Sequence, residues 1–516
     1  MRAQDYQISA EKFVFRTTEA SLHDAKLETK PVSYFRDALN RFCKNKASIV
    51  AAGIIALLVL FAIIAPMFSQ YTVAYEDAYY AYCRPRNKVL YNLGAGFWDG
   101  GTKKEVNETV YNYYTAIEQE LGRPVIMGDI EREESEYMGK TRILYRFRLD
   151  TYNAVGAEFV TLTDAQYKAL QAYQDEHKVQ IILPITDVNK RPTATQDVTD
   201  ANYWYETKTV GGKTEAAYAS KTDKTLVPIY VPNDGTDAYT STMYFEGDTK
   251  LYNYGEAMDN GTNWNVRVDY REYYIYKHAI AGDGITEPNF IFGANNAGKD
   301  IFTCLASGAR FSFILAVIVS SVNLFVGAIY GAIEGYYGGK VDLMMERFVD
   351  ILAAIPFMIV ITLLKYHFNV SHVLILFISF FLTGWTSMAG RTRMQFYRFK
   401  NQEYVLVART LGANDRRIMF KHIFPNALGT LITGSVLVIP GVIFSETSLS
   451  YLGIINLTTG NLTSVGTLLA TGQTYLFTYP HMIVFPSIFI SLLMLSFNLF
   501  GNGLRDAFNP SLRGTE

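Results

Sequence analysis

The sequence of 516 residues is poor in the side chains that build disulfide frameworks and metal sites. It holds three cysteines, Cys43, Cys83 and Cys304, which lie far apart, and seven scattered histidines. This spacing offers neither a disulfide framework nor a set of metal ligands, so we expect no bound metal. A Gly-x-x-x-x-Gly-Lys-Ser/Thr loop is also missing, as is any recognisable nucleophile–base pattern. We therefore expect neither an enzyme nor a protein that binds the phosphates of ATP itself.

The start of the chain lacks the apolar stretch that follows the basic residues of a cleavable signal peptide. Residues 1–31 are polar and aperiodic, which predicts a loosely ordered cytoplasmic arm. In residues 32–46 apolar side chains recur at helical spacing opposite basic ones. This pattern is typical of an amphipathic helix that lies on a membrane surface.

Long stretches of the remaining chain are almost free of charge, as in membrane-spanning helices. Residues 47–69 form an apolar run of about the ~20 residues that cross ~30 Å of hydrocarbon. Five more apolar segments follow, at residues 311–333, 346–364, 372–389, 427–451 and 480–503. The sequence thus predicts an α-helical polytopic membrane protein with six transmembrane helices.

The distribution of basic residues predicts how these helices are oriented. Eight Lys and Arg lie between residues 391 and 421, whereas residues 453–480 contain none. Because basic residues concentrate in cytoplasmic loops, the first of these loops is expected inside the cell. Both termini are then cytoplasmic, and the long segment between the first two membrane helices is extracellular.

That segment, residues 70–290, is called the insert below. It contains 26 of the 37 tyrosines, and its residues 71–290 carry a net charge of −10. The tyrosines are compatible with a ligand-binding surface, but tyrosine is also common in strands and cores. The composition indicates a domain large enough to bury its own core.

Local patterns predict an α+β fold for the insert. Apolar and polar residues alternate over residues 143–149 and 266–271, which predicts two strands. Thr163 and Gln166 have the spacing of a capping box and predict the start of a helix. A second helix is expected at residues 105–121.

A charged helical hairpin, residues 403–425, lies within the basic loop. Apolar residues spaced i, i+3, i+4 and i+7 predict one apolar stripe, formed by Tyr404, Val407, Ala408 and Leu411. Gly412 is expected to end the first helix and Asn414 to cap a second one. Pro425 is expected to close the second helix, because the residue before a proline is driven out of helical geometry.

The spacing of Ala408, Gly412 and Pro425 resembles the cytoplasmic EAA loop of bacterial ABC importer permeases. The first two letters of the triplet are replaced here by Leu406 and Val407. Further motifs are similar to those of C-type dipeptide/oligopeptide permeases and lie at residues 292–302, 308–312, 335–350, 448–453 and 497–506. The resemblance covers residues 32–70 and 290–513 and leaves out the insert.

This resemblance implies a type I importer permease in a bacterial cell (inner/plasma) membrane. Residues 291–506 would form a five-helix permease core with a coupling loop at 390–425, and residues 507–516 a cytoplasmic tail. A second permease subunit would complete a heterodimer embedded in lipid, and two cytoplasmic ATPase subunits would bind ATP and Mg. An extracellular lipoprotein or periplasmic receptor would deliver the peptide, and no nucleic acid partner is implied. The residues expected to couple to the ATPases are Glu403, Ala408, Arg409, Gly412, Ala413, Arg416, Arg417 and Pro425.

Three residues in or beside the apolar segments are candidates for the translocation path or gate. Glu446 and Asp350 are carboxylates, which are costly in lipid and therefore functional candidates. Both are also compatible with a role in helix packing. Pro356 is expected to kink or break its helix.

Two other functions remain open from the sequence. The same type of subunit serves importers of oligosaccharides or nickel. A six-helix protein with a large external domain is also compatible with a sensor or scaffold that binds an extracellular ligand. A sensor is disfavoured, because few residues precede the first apolar run or follow the last.

Overall fold

The computed structural model describes residues 34–183 apart from 95, 138, 139, 178 and 180. It also describes short strands between residues 207 and 258, and residues 262–508 apart from 458–461. The helices up to the end of the insert are α1 Tyr34–Lys44, α2 Lys46–Phe68, α3 Lys88–Asn92, α4 Glu108–Leu121, α5 Asp164–His177 and α6 Tyr270–Ala281. The helices that follow are α7 Ile301–Tyr337, α8 Gly339–Ala353, α9 Phe357–His367, α10 His372–Gly384, α11 Thr386–Phe399, α12 Glu403–Thr410, α13 Asp415–Arg417, α14 Phe424–Val436, α15 Val438–Tyr451, α16 Val465–Thr474 and α17 His481–Phe508.

Within the described residues, five helical runs are long and apolar enough to cross a membrane. They are α2, α7, α10 with α11, α13 to α15, and α17. The pair α8 and α9 is bent by 69° and gives a sixth span if the two helices cross together. The expected helix at 346–364 is therefore two helices. The break lies at Pro356, whose extended backbone (φ −60°, ψ 127°) caps α9.

Three glycines at four-residue intervals bring α7 and α11 into close contact. A Cβ on Gly327 would lie 2.6 Å from the Trp385 carbonyl oxygen, and one on Gly335 would lie 2.7 Å from Phe396 Cβ. A Cβ on Gly331 would strike the Ala389 carbonyl group. Small residues thus allow two main chains to approach closely where lipid supplies no hydrophobic driving force.

Strands occur only in the insert, as far as the structure describes the chain. They are β1 Gly101–Asn107, β2 Ile126–Tyr137, β3 Lys140–Asp150, β4 Ala157–Thr163, β5 Thr207–Val210, β6 Lys213–Ala216, β7 Tyr218–Ser220, β8 Thr225–Leu226, β9 Thr242–Phe245, β10 Thr249–Tyr252, β11 Gly255–Met258 and β12 Asn263–Asp269. One sheet has the order β1-β3-β2 and another the order β11-β12-β4, and all these pairs are antiparallel.

The elements predicted in the insert are present, with two wrong boundaries. The strands at 143–149 and 266–271 correspond to β3 and β12, although the second of these ends at Asp269. The capping box is formed, since Gln166 N donates to Thr163 Oγ1 and Thr163 N to Gln166 Oε1. The helix expected from residue 105 begins only at Glu108. Residues 101–107 pair with β3 instead, and Asn107 caps α4.

The base of the insert packs against the loop that precedes α17. The ring of Tyr82 stacks on Tyr479 at a centroid distance of 4.4 Å, and Arg84 Nη2 donates to the Thr478 carbonyl oxygen at 2.7 Å. Between them, Cys83 is buried, and burial raises the pKa of its thiol well above the usual value. The thiol is therefore protonated and unreactive. The insert is thus held to the membrane helices by side-chain contacts as well as by its two chain connections.

Residues 182–183 and strand β11, which are far apart in the sequence, lie along the same edge of β12. Leu183 N donates to the Arg267 carbonyl oxygen at 2.8 Å, and Ile182 lies opposite Val268. The next residue of β12, Val266, lies opposite Gly255 of β11. Since both segments run antiparallel to β12, β11 continues the line of residues 182–183. Residues 184–254 therefore interrupt a single edge strand.

Candidate functional site

The backbone of the hairpin reverses at Gly412. Helix α12 ends at Thr410, and Gly412 has φ +81°, a left-handed conformation that favours glycine. The Asn414 side chain then caps α13 by accepting a hydrogen bond from Arg417 N at 2.8 Å. The first arm, the turn and the cap follow the prediction from the sequence.

One face of the hairpin is fixed to the membrane helices. Val405 and Ile418 are completely buried and pack with Tyr336 of α7 and Phe396 of α11. Ala408 lies on this same face and is 8% exposed. The prediction that Ala408 shares one apolar stripe with Tyr404, Val407 and Leu411 is therefore wrong. Ala408 lies with Val405 on a second apolar face, which is buried. The role of Val405 as an anchor was not evident from the sequence.

A polar contact reinforces the anchoring. The Tyr336 hydroxyl donates to Asp415 Oδ1 at 2.6 Å, and the Arg409 guanidinium lies 5.9 Å from the centroid of the Tyr336 ring. Ala413 N donates to the Ala408 carbonyl oxygen at 3.1 Å across the turn. Both arms of the hairpin are thus held by the end of α7. The position of Asp415 in a first helical turn was evident from the sequence, but its partner eighty residues earlier was not.

The opposite face is apolar and exposed. Four side chains form this face, called the docking patch below, with exposed fractions between 40% and 82%: Tyr404, Leu406, Val407 and Leu411. Charged side chains surround it and are also exposed: Glu403, Arg409, Arg416 and Arg417. An exposed apolar surface with a charged rim is typical of a protein–protein contact.

Pro425 does not close the hairpin, contrary to the prediction. Phe424, the residue before it, has helical angles, and its N–H donates to the carbonyl oxygen of Met419. Residues Ile418–Ile423 form a π-helix, whose wider turn accommodates a proline that has no N–H and would crowd an ordinary turn. The helical run consequently continues from Asp415 to Tyr451.

Two family models match parts of this chain. A family model described as the N-terminal TM domain of oligopeptide transport permease C matches residues 33–85. A second one, described as a binding-protein-dependent transport system inner membrane component, matches residues 323–514. The first match extends past residue 70, where the resemblance in the sequence ended, and residues 86–322 lie outside both.

Relatives of known name support the same family. The chain is 41% identical to the oligopeptide transport system permease protein OppC of Bacillus subtilis (strain 168) over 222 residues, which are 43% of this chain and 72% of the relative. The chain belongs to the family of oligopeptide and dipeptide ABC permeases. It is also 35% identical to the dipeptide transport system permease protein DppC of the same organism over 247 residues, 46% of this chain and 76% of the relative.

Glu446 lies in the protein interior of this permease. Its side chain is completely buried, and its carboxylate accepts hydrogen bonds from Ser312 Oγ at 2.7 Å and Ser450 Oγ at 3.0 Å. The bond from Ser312 joins α15 to α7, whereas the bond from Ser450 lies within α15. Such a pairing favours a packing role over direct contact with a transported solute.

The other two path candidates lie elsewhere in the permease. Asp350 is exposed on α8 and pairs with Arg347 three residues earlier, at 3.0 Å. Pro356 marks the bend between α8 and α9. The structure thus brings the hairpin residues together but does not gather Glu446, Asp350 and Pro356 into one site.

Proposed function

We propose that this chain is a membrane-spanning permease subunit of an ATP-driven importer for oligopeptides or dipeptides, in which the hairpin 403–425 receives an ATPase subunit. The docking patch carries this proposal. It is apolar and exposed on one face, whereas the other face is anchored to α7 and α11. A rigid element with an unpartnered apolar surface is suited to transmit the movement of a bound protein.

The rest of the proposed assembly follows the names of the relatives, which are peptide transport permeases. A second permease subunit completes the pathway, and two ATPase subunits bind ATP and Mg, since this sequence has no phosphate-binding loop. The basic loop supports a cytoplasmic position of the hairpin and of both termini, with the insert outside.

Replacing Val407 and Leu411 together by serine should release the ATPase subunits. Each exposed apolar side chain contributes about 2 kcal/mol when buried, so copurification should fall by roughly 30-fold or more. We would solubilise native membranes with detergent, recover the tagged chain and quantify the retained ATPases by mass spectrometry.

The matched control is Leu93→Ser, which removes an equally large side chain that is 73% exposed in the insert. It should leave ATPase recovery unchanged. Full ATPase recovery with the double variant would show that the patch is not the docking surface. Recovery of kinases and no ATPase with the unaltered chain would favour the sensor or scaffold function.

We further propose that the insert docks the substrate receptor. Its β2 strand is a sheet edge with a row of exposed carboxylates, including Asp129, Glu131 and Glu133. At its base, Tyr82 and Arg84 contact the loop before α17. A receptor bound to the insert would therefore be connected to the external ends of the membrane helices.

Deleting residues 184–254 and joining Leu183 directly to Gly255 should test receptor docking. The fusion leaves the register along β12 continuous, so β4, β12 and the base of the insert should still fold. Because β2 and its carboxylates stay in this variant, we expect receptor recovery and ATPase recovery to remain unchanged, whereas Asp129→Asn/Glu131→Gln/Glu133→Gln should lower receptor recovery several-fold. Equal receptor recovery from the charge variant and the unaltered chain would exclude the β2 edge as the docking region.

A further inference from the structure

Three arginines meet where α11, α14 and α17 come together. They line a groove with a volume of about 360 Å³ and are Arg391 and Arg398 of α11 and Arg505 near the end of α17. In the part of the chain that the structure describes, no Asp or Glu lines this groove. Among the described residues, none of the three guanidinium groups forms a salt bridge, in contrast to the neighbouring Arg393, which binds Asp342 at 2.6 Å.

The backbone of α14 is shaped to receive one of these arginines. Arg391 Nη1 donates to the Gly434 carbonyl oxygen at 3.2 Å. A Cβ on residue 434 would lie 2.7 Å from the same nitrogen, so any larger residue would displace the guanidinium group. The position of Arg391 at the groove is therefore built into the contact between two membrane helices.

The remaining walls of the groove are mixed in character. Leu437 and Phe508 supply apolar surface, and Thr430 of α14 and Leu437, the residue between α14 and α15, lie about 10 Å from each other along the helical run. Gln395 also lines the groove, and its Oε1 is buried without a hydrogen-bond donor among the described residues. The groove thus offers positive charge, an unused acceptor and an apolar wall.

We propose that this groove binds the headgroup of an anionic phospholipid. The three guanidinium groups would hold the phosphate, which they match in geometry better than an ammonium group does. A headgroup hydroxyl would donate to Gln395 Oε1, and the acyl chains would follow Leu437 and Phe508. A basic pocket between membrane helices is suited to such lipids. Inorganic phosphate offers the same charge but cannot use the apolar wall.

The proposal depends on the chain lying in a membrane and not on what it transports. The test is native mass spectrometry of the full-length chain, with the subunits it retains, titrated with phosphatidylglycerol and separately with phosphatidylcholine. We expect a preference for phosphatidylglycerol that falls by about tenfold in Arg398→Gln/Arg505→Gln. Neither of these arginines forms a salt bridge in the described part of the chain, so the variant should fold.

Lys340→Gln is the matched control. Lys340 is an exposed basic residue on α8 outside the groove, and its loss should leave the lipid preference unchanged. An equal preference in the double variant and the unaltered chain would overturn the proposal. So would competition by inorganic phosphate that removes the bound lipid, because this would identify a site for soluble anions. Retention of phosphatidylglycerol in the presence of phosphate supports the lipid assignment.

Discussion

Gly412→Val should reduce ATP-driven peptide uptake by roughly tenfold without lowering the amount of permease in the membrane. A Cβ at this position would meet nothing within 4 Å, so the effect is purely conformational. The backbone has φ +81°, where a side chain costs about 1–2 kcal/mol, and a β-branched one is especially unfavourable. This strain is relieved if the turn opens, which withdraws Asp415 from Tyr336 and displaces the docking patch. An energy of this size changes the population of the competent turn by roughly tenfold.

The Gly412→Asn variant distinguishes an effect of backbone conformation from an effect of side-chain size. Asparagine tolerates left-handed backbone angles, so this variant should keep most of the uptake although it carries a larger side chain than glycine. Uptake is measured in proteoliposomes of the assembled transporter, and membrane abundance by quantitative immunoblot. Normal uptake by Gly412→Val would refute the role of the turn. Equal losses in the Val and Asn variants would show that φ is not the determining property.

Gly331→Val should destroy the folded permease rather than its coupling. The new side chain would lie 2.9 Å from both the Ala389 carbonyl carbon and Thr392 Cβ, and the first of these is main chain. Overpacking typically costs about 1–3 kcal/mol, and here α7 and α11 must separate to accommodate it. We expect the level in the membrane and the temperature of aggregation in detergent both to fall clearly.

The control is Gly390→Val on α11, directly after Ala389. Its Cβ would meet nothing within 4 Å, so the same exchange should leave abundance and thermal behaviour close to those of the unaltered chain. Gly331→Ala should lie between the two. Wild-type stability of Gly331→Val would mean that the close approach of α7 and α11 does not limit folding.

The position of the hairpin could be predicted because its signals are local. The stripe, the turn at Gly412 and the cap at Asn414 depend on residues within a few positions of one another. What could not be predicted is which apolar face turns inward. Val405 faces α7 and α11, and that choice depends on partners distant in the sequence.

Pro425 and the insert show two other limits of local patterns. A proline usually ends a helix, but here a π-helix absorbs it, and nothing in the six residues Ile418–Ile423 signals the wider turn. The sequence predicts helix for residues 105–107, the end of β1, because their partners in β3 lie some forty positions away. The successive positions of Leu183 and Gly255 along β12 could not be predicted for the same reason, since local sequence does not determine which strands pair.

The run from Asp415 to Tyr451 has a mechanical consequence. Its 37 residues span about 55 Å if helical throughout, more than the hydrocarbon thickness of a bilayer. Because Pro425 does not interrupt it, the second arm of the hairpin and the membrane helix that holds Glu446 form one lever. A tilt imposed on the end that carries the hairpin reaches the opposite face of the membrane without passing through a flexible loop.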